Sequence, residues 1–398
     1  MNCRIKVLKI IRVLLFFPSV TFGLLAAEIF PWAFFYCIIK FKRFLSIKFS
    51  PLFFYFGFSV LYSLFLITFR SQGDYLELMR SVFAYLNSML IFMYILSAKE
   101  EEVKALQKLV FWILGFQISL GLIQYFNLIE WLQSLLSFLT PRAMSFGGGY
   151  RGATLLSSEP SRAATEFIFI ALLVCILIKR SHYRIYLLVM ILFFNIFIFK
   201  SLDGLILSLI AIILFFKFYA FFILTISCMG FYLLSDDLAS SSRLFQFIQD
   251  LKDQSSIHEL FFLALNNSGF RLSSIISSIY YGFFHIFGAG IGQWQISSIV
   301  ANEFFGFDPS KIFFFRENGG IFIPLRPSSY VANLMLDFGL VGTALVLAYI
   351  KNLIPKKMSS ERIAYVALFL FSLLFVSSVG NPVPWICCAI AIRQKKED

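Results

Sequence analysis

The sequence predicts an all-α, polytopic membrane protein of about 10–12 transmembrane helices, with a large external loop that contains amphipathic helices. Three observations carry that expectation. Apolar residues fill 59% of the 398 positions and charged residues only 14%, against roughly half and a quarter in a soluble domain. The apolar residues gather into runs close to the ~20 residues that cross a hydrocarbon layer. The basic residues between the runs are divided unequally between the two sides, as topology in a membrane requires.

Taken in chain order, the first apolar stretch spans roughly 10–39 and is interrupted by "EIFPW". It is long for one crossing and short for two, and basic clusters flank both ends. A tight broken-helix hairpin with both ends cytoplasmic is expected. "LLAAE" imitates a signal-peptide cleavage site, but "IFPWAFFYCII" follows at once, so an uncleaved entry into the membrane is expected. Further runs lie at about 51–69, 81–97, 109–128, 162–178, 185–199, 203–216, 218–234, 328–350 and 363–380, and "PWICCAIAI" closes the series. With alternating sides, 22 of the 34 Lys and Arg residues fall in cytoplasmic segments and 12 outside. The organisation expected is an N-terminal bundle (1–234) with an external loop at 129–161, a large external loop (235–327), and C-terminal helices (328–398). The six cysteines fall in apolar runs or at the basic N-terminus, which argues against a disulfide framework.

The outside charges differ in kind from the inside ones. Nine of the 12 are arginine (Arg70, Arg80, Arg142, Arg151, Arg162, Arg243, Arg271, Arg316 and Arg326), whereas 15 of the 22 inside are lysine. Lysine suffices to attract anionic headgroups; the planar arginine fork suits bidentate recognition of phosphate. Either lipid phosphates or a phosphorylated ligand on the outer face would account for this bias.

Both external segments carry polar groups placed for chemistry. The first opens with "EWLQSLLSFLT", whose Trp131, Leu132, Leu135, Leu136 and Leu139 form one apolar stripe suited to an interfacial helix. It ends in "RGATLLSSEPSRAATEF", where Pro160 suits a first helical turn and Glu159 sits just before it. Glu159 is either a helix-capping acid, with Arg162 and Glu166 pairing along the helix, or a general base at the water–bilayer boundary. In the second segment, Arg271, Ser274, Ser278, Tyr281 and His285 recur every three or four residues, so a helix lying on the membrane would leave Arg271 facing water or a cavity. "GAGIG" then reads as a helix stop and tight turn, and His285 as a polar-face residue rather than a metal ligand. In "RPSSYVANLMLDFGLVG", Arg326 precedes a helix start and Ser329, Asn333 and Asp337 share a face. At ~1.5 Å per residue, Asp337 lies about 12 Å or more into the bilayer. Its role there is a structural contact between helices or a contact to substrate. "SLDG" at 201–204 is a weaker case of the same kind.

There is no P-loop, no D-x-D pair, no zinc motif and no G-x-S-x-G elbow in the sequence. No metal, no cofactor and no nucleic-acid partner are expected.

Four places together resemble the Wzy-type O-antigen polymerases, a family related to the O-antigen ligases. They are the "EIFPW" break, the arginine followed by "SEPS" before a membrane helix, the Arg271–ten residues–Gly282 spacing, and the "RPSSYVANLMLDFGLVG" helix entry. The resemblance implies a multi-pass glycosyltransferase of the bacterial inner membrane with its site facing the periplasm. It would transfer a sugar chain from undecaprenyl diphosphate to another lipid-linked repeat unit, in concert with a chain-length regulator. On that basis Glu159 is the general base, and Arg151, Arg271, Arg326 and Asp337 contact the diphosphate or substrate. Ligases of this layout place a histidine at the entry to the helix after the long loop. Here that entry reads "RPSSY", and the histidines are His182, His258 and His285. A flippase or other transporter is the third alternative, although the two repeated halves usual in transporters are not seen.

Overall fold

The computed structural model describes residues 2–22, 29–40, 51–129, 131–140, 152–178, 181–215, 249–250 and 256–394. Their regular secondary structure is helical, with no β-strand among them. In chain order the helices are α1 (Asn2–Leu14), α2 (Trp32–Ile39), α3 (Pro51–Arg70), α4 (Tyr75–Ser97), α5 (Glu100–Phe126), α6 (Trp131–Leu139), α7 (Pro160–Leu177) and α8 (Ser181–Phe193). They continue with α9 (Leu202–Phe215), α10 (Ile257–Asn267), α11 (Arg271–Phe284), α12 (Trp294–Phe305), α13 (Phe313–Glu317), α14 (Tyr330–Leu353), α15 (Ser360–Phe375) and α16 (Val383–Arg393). Five of them, α3, α4, α5, α7 and α14, are long and apolar enough to cross a membrane. Three shorter apolar helices accompany them, at Tyr183–Ile198, Leu202–Phe215 and Val383–Arg393. The apolar run expected at 218–234 lies outside the described residues.

Local chemistry sets the helix ends. The Asp74 carboxylate accepts from the Leu76 N–H at the start of α4, and Ser329 Oγ accepts from the Ala332 N–H at the start of α14. Ser256 and Glu259 form a reciprocal capping box on α10. α5 ends at Asn127 in the left-handed conformation. The first apolar stretch is broken as expected: α1 ends at Leu14 and α2 begins only at Trp32, whose indole Nε1 donates to Val20 O.

α7 and α16 form the centre. Every residue of α7 from Ala163 to Ile176 is buried, as is every residue of α16 from Val383 to Ile392. The small side chains of α16 (Cys387, Cys388, Ala389 and Ala391) let it pack against both α4 and α7. "PWICCAIAI" is therefore the middle of the bundle, not a peripheral last turn. α15 closes over it, and Tyr365 Oη donates to Phe169 O at 2.7 Å.

α11 packs in an unexpected sense. Its buried residues are mostly small or hydroxyl-bearing (Ser273, Ser274, Ser277, Ser278, Tyr281 and Gly282, with Ile275), while Phe283 and Phe284 are exposed. The serine face lies along the first half of α14. Gly282 sits so close that a Cβ there would stand 2.5 Å from Met335 O. Close approach of helix backbones through small residues is the packing used inside membranes, and it explains why serines line a buried face.

Candidate functional site

The segment leading into Glu159 is held firmly. Residues 152–158 are buried. Ala153 N donates to Ile198 O (2.8 Å), a carbonyl at the end of the π turn Phe194–Ile198 that follows α8. A Cβ at Gly152 would lie 2.0 Å from Phe199 O, so only glycine lets the two backbones meet. Leu155 takes a left-handed φ of 53°. It is gripped at both polar ends: Gln124 Nε2 donates to Leu155 O (3.0 Å) and Leu155 N donates to Gln124 Oε1 (2.9 Å). Beneath it, the buried Glu166 carboxylate accepts from Ser157 Oγ (2.7 Å) and Asn381 Nδ2 (3.2 Å). Glu166 thus ties the segment to the start of α16.

Glu159 occupies the N-cap position of α7, with extended φ and ψ (−144°, 151°) ahead of Pro160. Its side chain caps nothing. The carboxylate instead forms an ion pair with Arg271 from the start of α11 and accepts from Ser161 Oγ at 3.4 Å. Arg271 also donates to Asp203 Oδ2 (2.6 Å) at the start of α9 and to Ser161 Oγ (3.1 Å). One guanidinium therefore joins three helix starts. Its side chain is 33% exposed, against 41% for Glu159 and 33% for Asp203, so the triad is half-open to solvent.

The triad lies on the wall of a cavity of about 970 Å³. Four arginines line it (Arg80, Arg162, Arg271 and Arg326) together with three carboxylates (Glu77, Glu159 and Asp203); no lysine does so among the described residues. Arg80 pairs with Glu77 at 2.7 Å, and Glu77 accepts from Trp294 Nε1 at 3.3 Å. Arg162 donates to Ser158 Oγ at 2.8 Å. Arg326 donates from Nε to Asn333 Oδ1 (3.1 Å), while the Asn333 amide donates to Pro327 O and Ser329 O (both 2.6 Å), fixing the entry to α14. The first turns of α4, α7, α9, α11 and α14 all contribute to the wall. Helix N-termini present unpaired N–H groups and the positive end of the peptide dipole, so their convergence favours an anionic guest. The rest of the lining includes apolar groups such as Met79, Phe83, Ile206, Ile275, Phe371 and Phe375.

Of the site residues named from sequence, the structure brings Glu159, Arg271 and Arg326 to one cavity. Arg151 lies outside the described residues, as do Arg142 and Arg243. Asp337 is not part of the cavity wall. It is 2% exposed, and its Oδ2 accepts from Tyr85 Oη at 2.7 Å, so it serves as a buried contact between α4 and α14. The expectation that it faces the bundle interior is met, and the contact it makes there is one between helices. His285 stacks on Tyr281, with ring centroids 3.8 Å apart, away from the cavity wall. Asp203 carried only the weak signal of an acid in an apolar run. Asn381 and Gln124 are not legible in the sequence, since their partners are dozens to hundreds of residues away; Glu77 has a local partner in Arg80, but its second one, Trp294, is 217 residues away.

In comparison with known proteins, the chain matches no family model, no curated protein and no solved structure.

Proposed function

We propose that this chain is a Wzy-type O-antigen polymerase, a glycosyltransferase of about 10–12 membrane crossings in the bacterial inner membrane. In this reading, the cavity opens to the periplasm and receives undecaprenyl-diphosphate-linked repeat units. The observation that carries the reading is the Glu159–Arg271–Asp203 triad in a cavity lined by four arginines and edged by helix starts. A carboxylate able to accept a proton stands beside cations able to take charge on a leaving group.

The chemistry follows from these positions. An acceptor hydroxyl attacks the anomeric carbon of the donor chain, the bond from that carbon to the diphosphate oxygen breaks, and the hydroxyl proton passes to Glu159. Charge grows on the departing diphosphate, where fixed arginines and helix N-termini stabilise it more than they stabilise the bound substrate. Before substrate arrives, Arg271 is engaged by two carboxylates. A diphosphate competes for that guanidinium, and any loosening of the Glu159 pair frees the carboxylate to act as a base. Apolar wall residues beside the polar triad suit a substrate with a sugar at one end and a polyprenyl chain at the other.

The test is the lipopolysaccharide ladder of a strain lacking the protein. A core bearing a single repeat unit is expected. A bare core with lipid-linked polymer accumulating would identify a ligase instead, and loss of every external repeat unit a flippase.

A further inference from the structure

We propose that residues 271–293 form a re-entrant hairpin that dips into the membrane from the cavity side, with Phe283, Phe284, Ile286 and Phe287 at its tip immersed in lipid hydrocarbon. The inference rests on reading α3 and α14 as membrane-crossing helices.

The docking of the hairpin fixes its depth. α14 is broken at Gly339 (φ 64°, ψ −163°), which leaves carbonyls without their usual helical partners. The turn after α11 supplies them: Ala289 N donates to Leu336 O (2.8 Å) and Gly290 N to Asp337 O (3.0 Å). In return Val341 N donates to Ile286 O (3.1 Å). Tyr55 Oη donates to Phe338 O (2.9 Å) and Thr343 Oγ1 to Gly339 O (2.8 Å), so the four carbonyls from Leu336 to Gly339 each have a partner. On the other side Ile291 N donates to Ser63 Oγ of α3 at 2.7 Å. Irregular backbone survives at membrane depth only where protein satisfies its polar groups, and here each of these groups has a partner. Glycine is required at the meeting point. A Cβ at Gly288 would lie 2.5 Å from Gly339 N, and one at Gly339 2.3 Å from His285 O.

Two helices give independent depths. Gly339 lies ten residues beyond the Ser329 cap of α14, about 15 Å along the axis. Ser63 lies seven residues before the Arg70 end of α3, about 10 Å. Both place the tip roughly a third to a half of the way across a ~30 Å hydrocarbon layer. The side chains agree: Phe283, Phe284, Ile286 and Phe287 are 51–63% exposed. α3, to which the hairpin is tied through Ser63, likewise exposes Phe58, Leu61, Phe65 and Phe69. At the opposite end of α11, Arg271 stands in the cavity. The hairpin thus anchors in lipid the helix that carries the central guanidinium.

The experiment attaches an environment-sensitive fluorophore to single cysteines introduced as Phe284→Cys, Ile286→Cys or Phe287→Cys. Cys3 and Cys228 are replaced by serine, and labelling leaves the buried Cys37, Cys175, Cys387 and Cys388 unmodified. Reconstituted vesicles of phosphatidylethanolamine and phosphatidylglycerol contain lipids with a nitroxide on the acyl chain, and iodide is the aqueous quencher. Leu61→Cys, mid-way along α3, is the membrane control, and Glu317→Cys the aqueous one. The tip positions are expected to follow Leu61, with acyl-chain quenching several-fold above iodide quenching. Tip positions that follow Glu317 while Leu61 is quenched by lipid would overturn the proposal. Protection from both quenchers would also overturn it, by showing a second protein copy over the tip. A Leu61 label unquenched by lipid would instead refute the membrane reading itself.

Discussion

Replacing Arg271 with alanine removes the cation shared by Glu159 and Asp203. Stripping one partner from a fully buried pair costs about 3–5 kcal/mol, whereas exposed pairs contribute about 0–1 kcal/mol. With the three side chains 33–41% exposed, the loss falls between these ranges and nearer the exposed one, about 1–2 kcal/mol. The melting temperature should fall by only a few degrees. Turnover should fall far more, by about 10²–10³, the cost of removing one fixed donor from a developing anion. Arg271→Lys keeps the charge but cannot bridge two carboxylates through a planar fork, so it should recover stability better than turnover. A combined Arg271→Ala, Glu159→Gln, Asp203→Asn variant carries no unpaired charge. It should regain most of the lost stability and none of the activity. The assay is polymerisation of lipid-linked repeat units by purified protein, with thermal unfolding measured on the same samples. Near-normal turnover of Arg271→Ala per folded molecule would refute the reasoning and leave the triad a structural tie.

Two further substitutions separate positioning from packing. Gln124→Leu removes both hydrogen bonds that hold Leu155 in its left-handed conformation. It should cost about 1–3 kcal/mol through the unsatisfied buried groups, and turnover per folded molecule should fall because the segment carrying Glu159 loosens. Tyr85→Phe, which strips the donor from buried Asp337, should cost a similar free energy, read as a lower unfolding temperature, and leave turnover per folded molecule unchanged, since neither group lines the cavity.

The long apolar helices are legible as apolar runs: α3, α7 and α14 begin within two residues of the sequence-based limits, whereas α4 and α5 begin at Tyr75 and Glu100, before the runs expected at 81 and 109, because their first turns are polar. Of the nine arginines that the sequence assigns to the outer side, four line one cavity, a convergence that composition alone does not specify. Glu159 was legible as a residue placed before Pro160, but its partner was not. The pair spans more than a hundred positions and depends on α11 docking beside α14. The orientation of α11 could not be read from periodicity. In a soluble protein its serine face would be solvated, and only packing against Met335 makes it the buried one. "GAGIG" reads as a turn from sequence, yet its match to the break at Gly339 is a property of two segments and resides in neither alone.

The measurement that tests the central claim most directly is the polymerising activity of purified Glu159→Gln at matched amounts of folded enzyme. The glutamine keeps the size and much of the hydrogen bonding of the carboxylate but cannot accept the acceptor's proton. Glu159 forms no side-chain cap on α7 and Asp203 stays on Arg271, so loss of the one half-exposed ion pair should cost about 1 kcal/mol or less. Loss of a general base costs about 10²–10⁴ in rate, enough to reduce a ladder of products to single repeat units. Turnover near that of the unsubstituted enzyme would contradict the account, and Glu159 would then be a structural partner of Arg271 and nothing more.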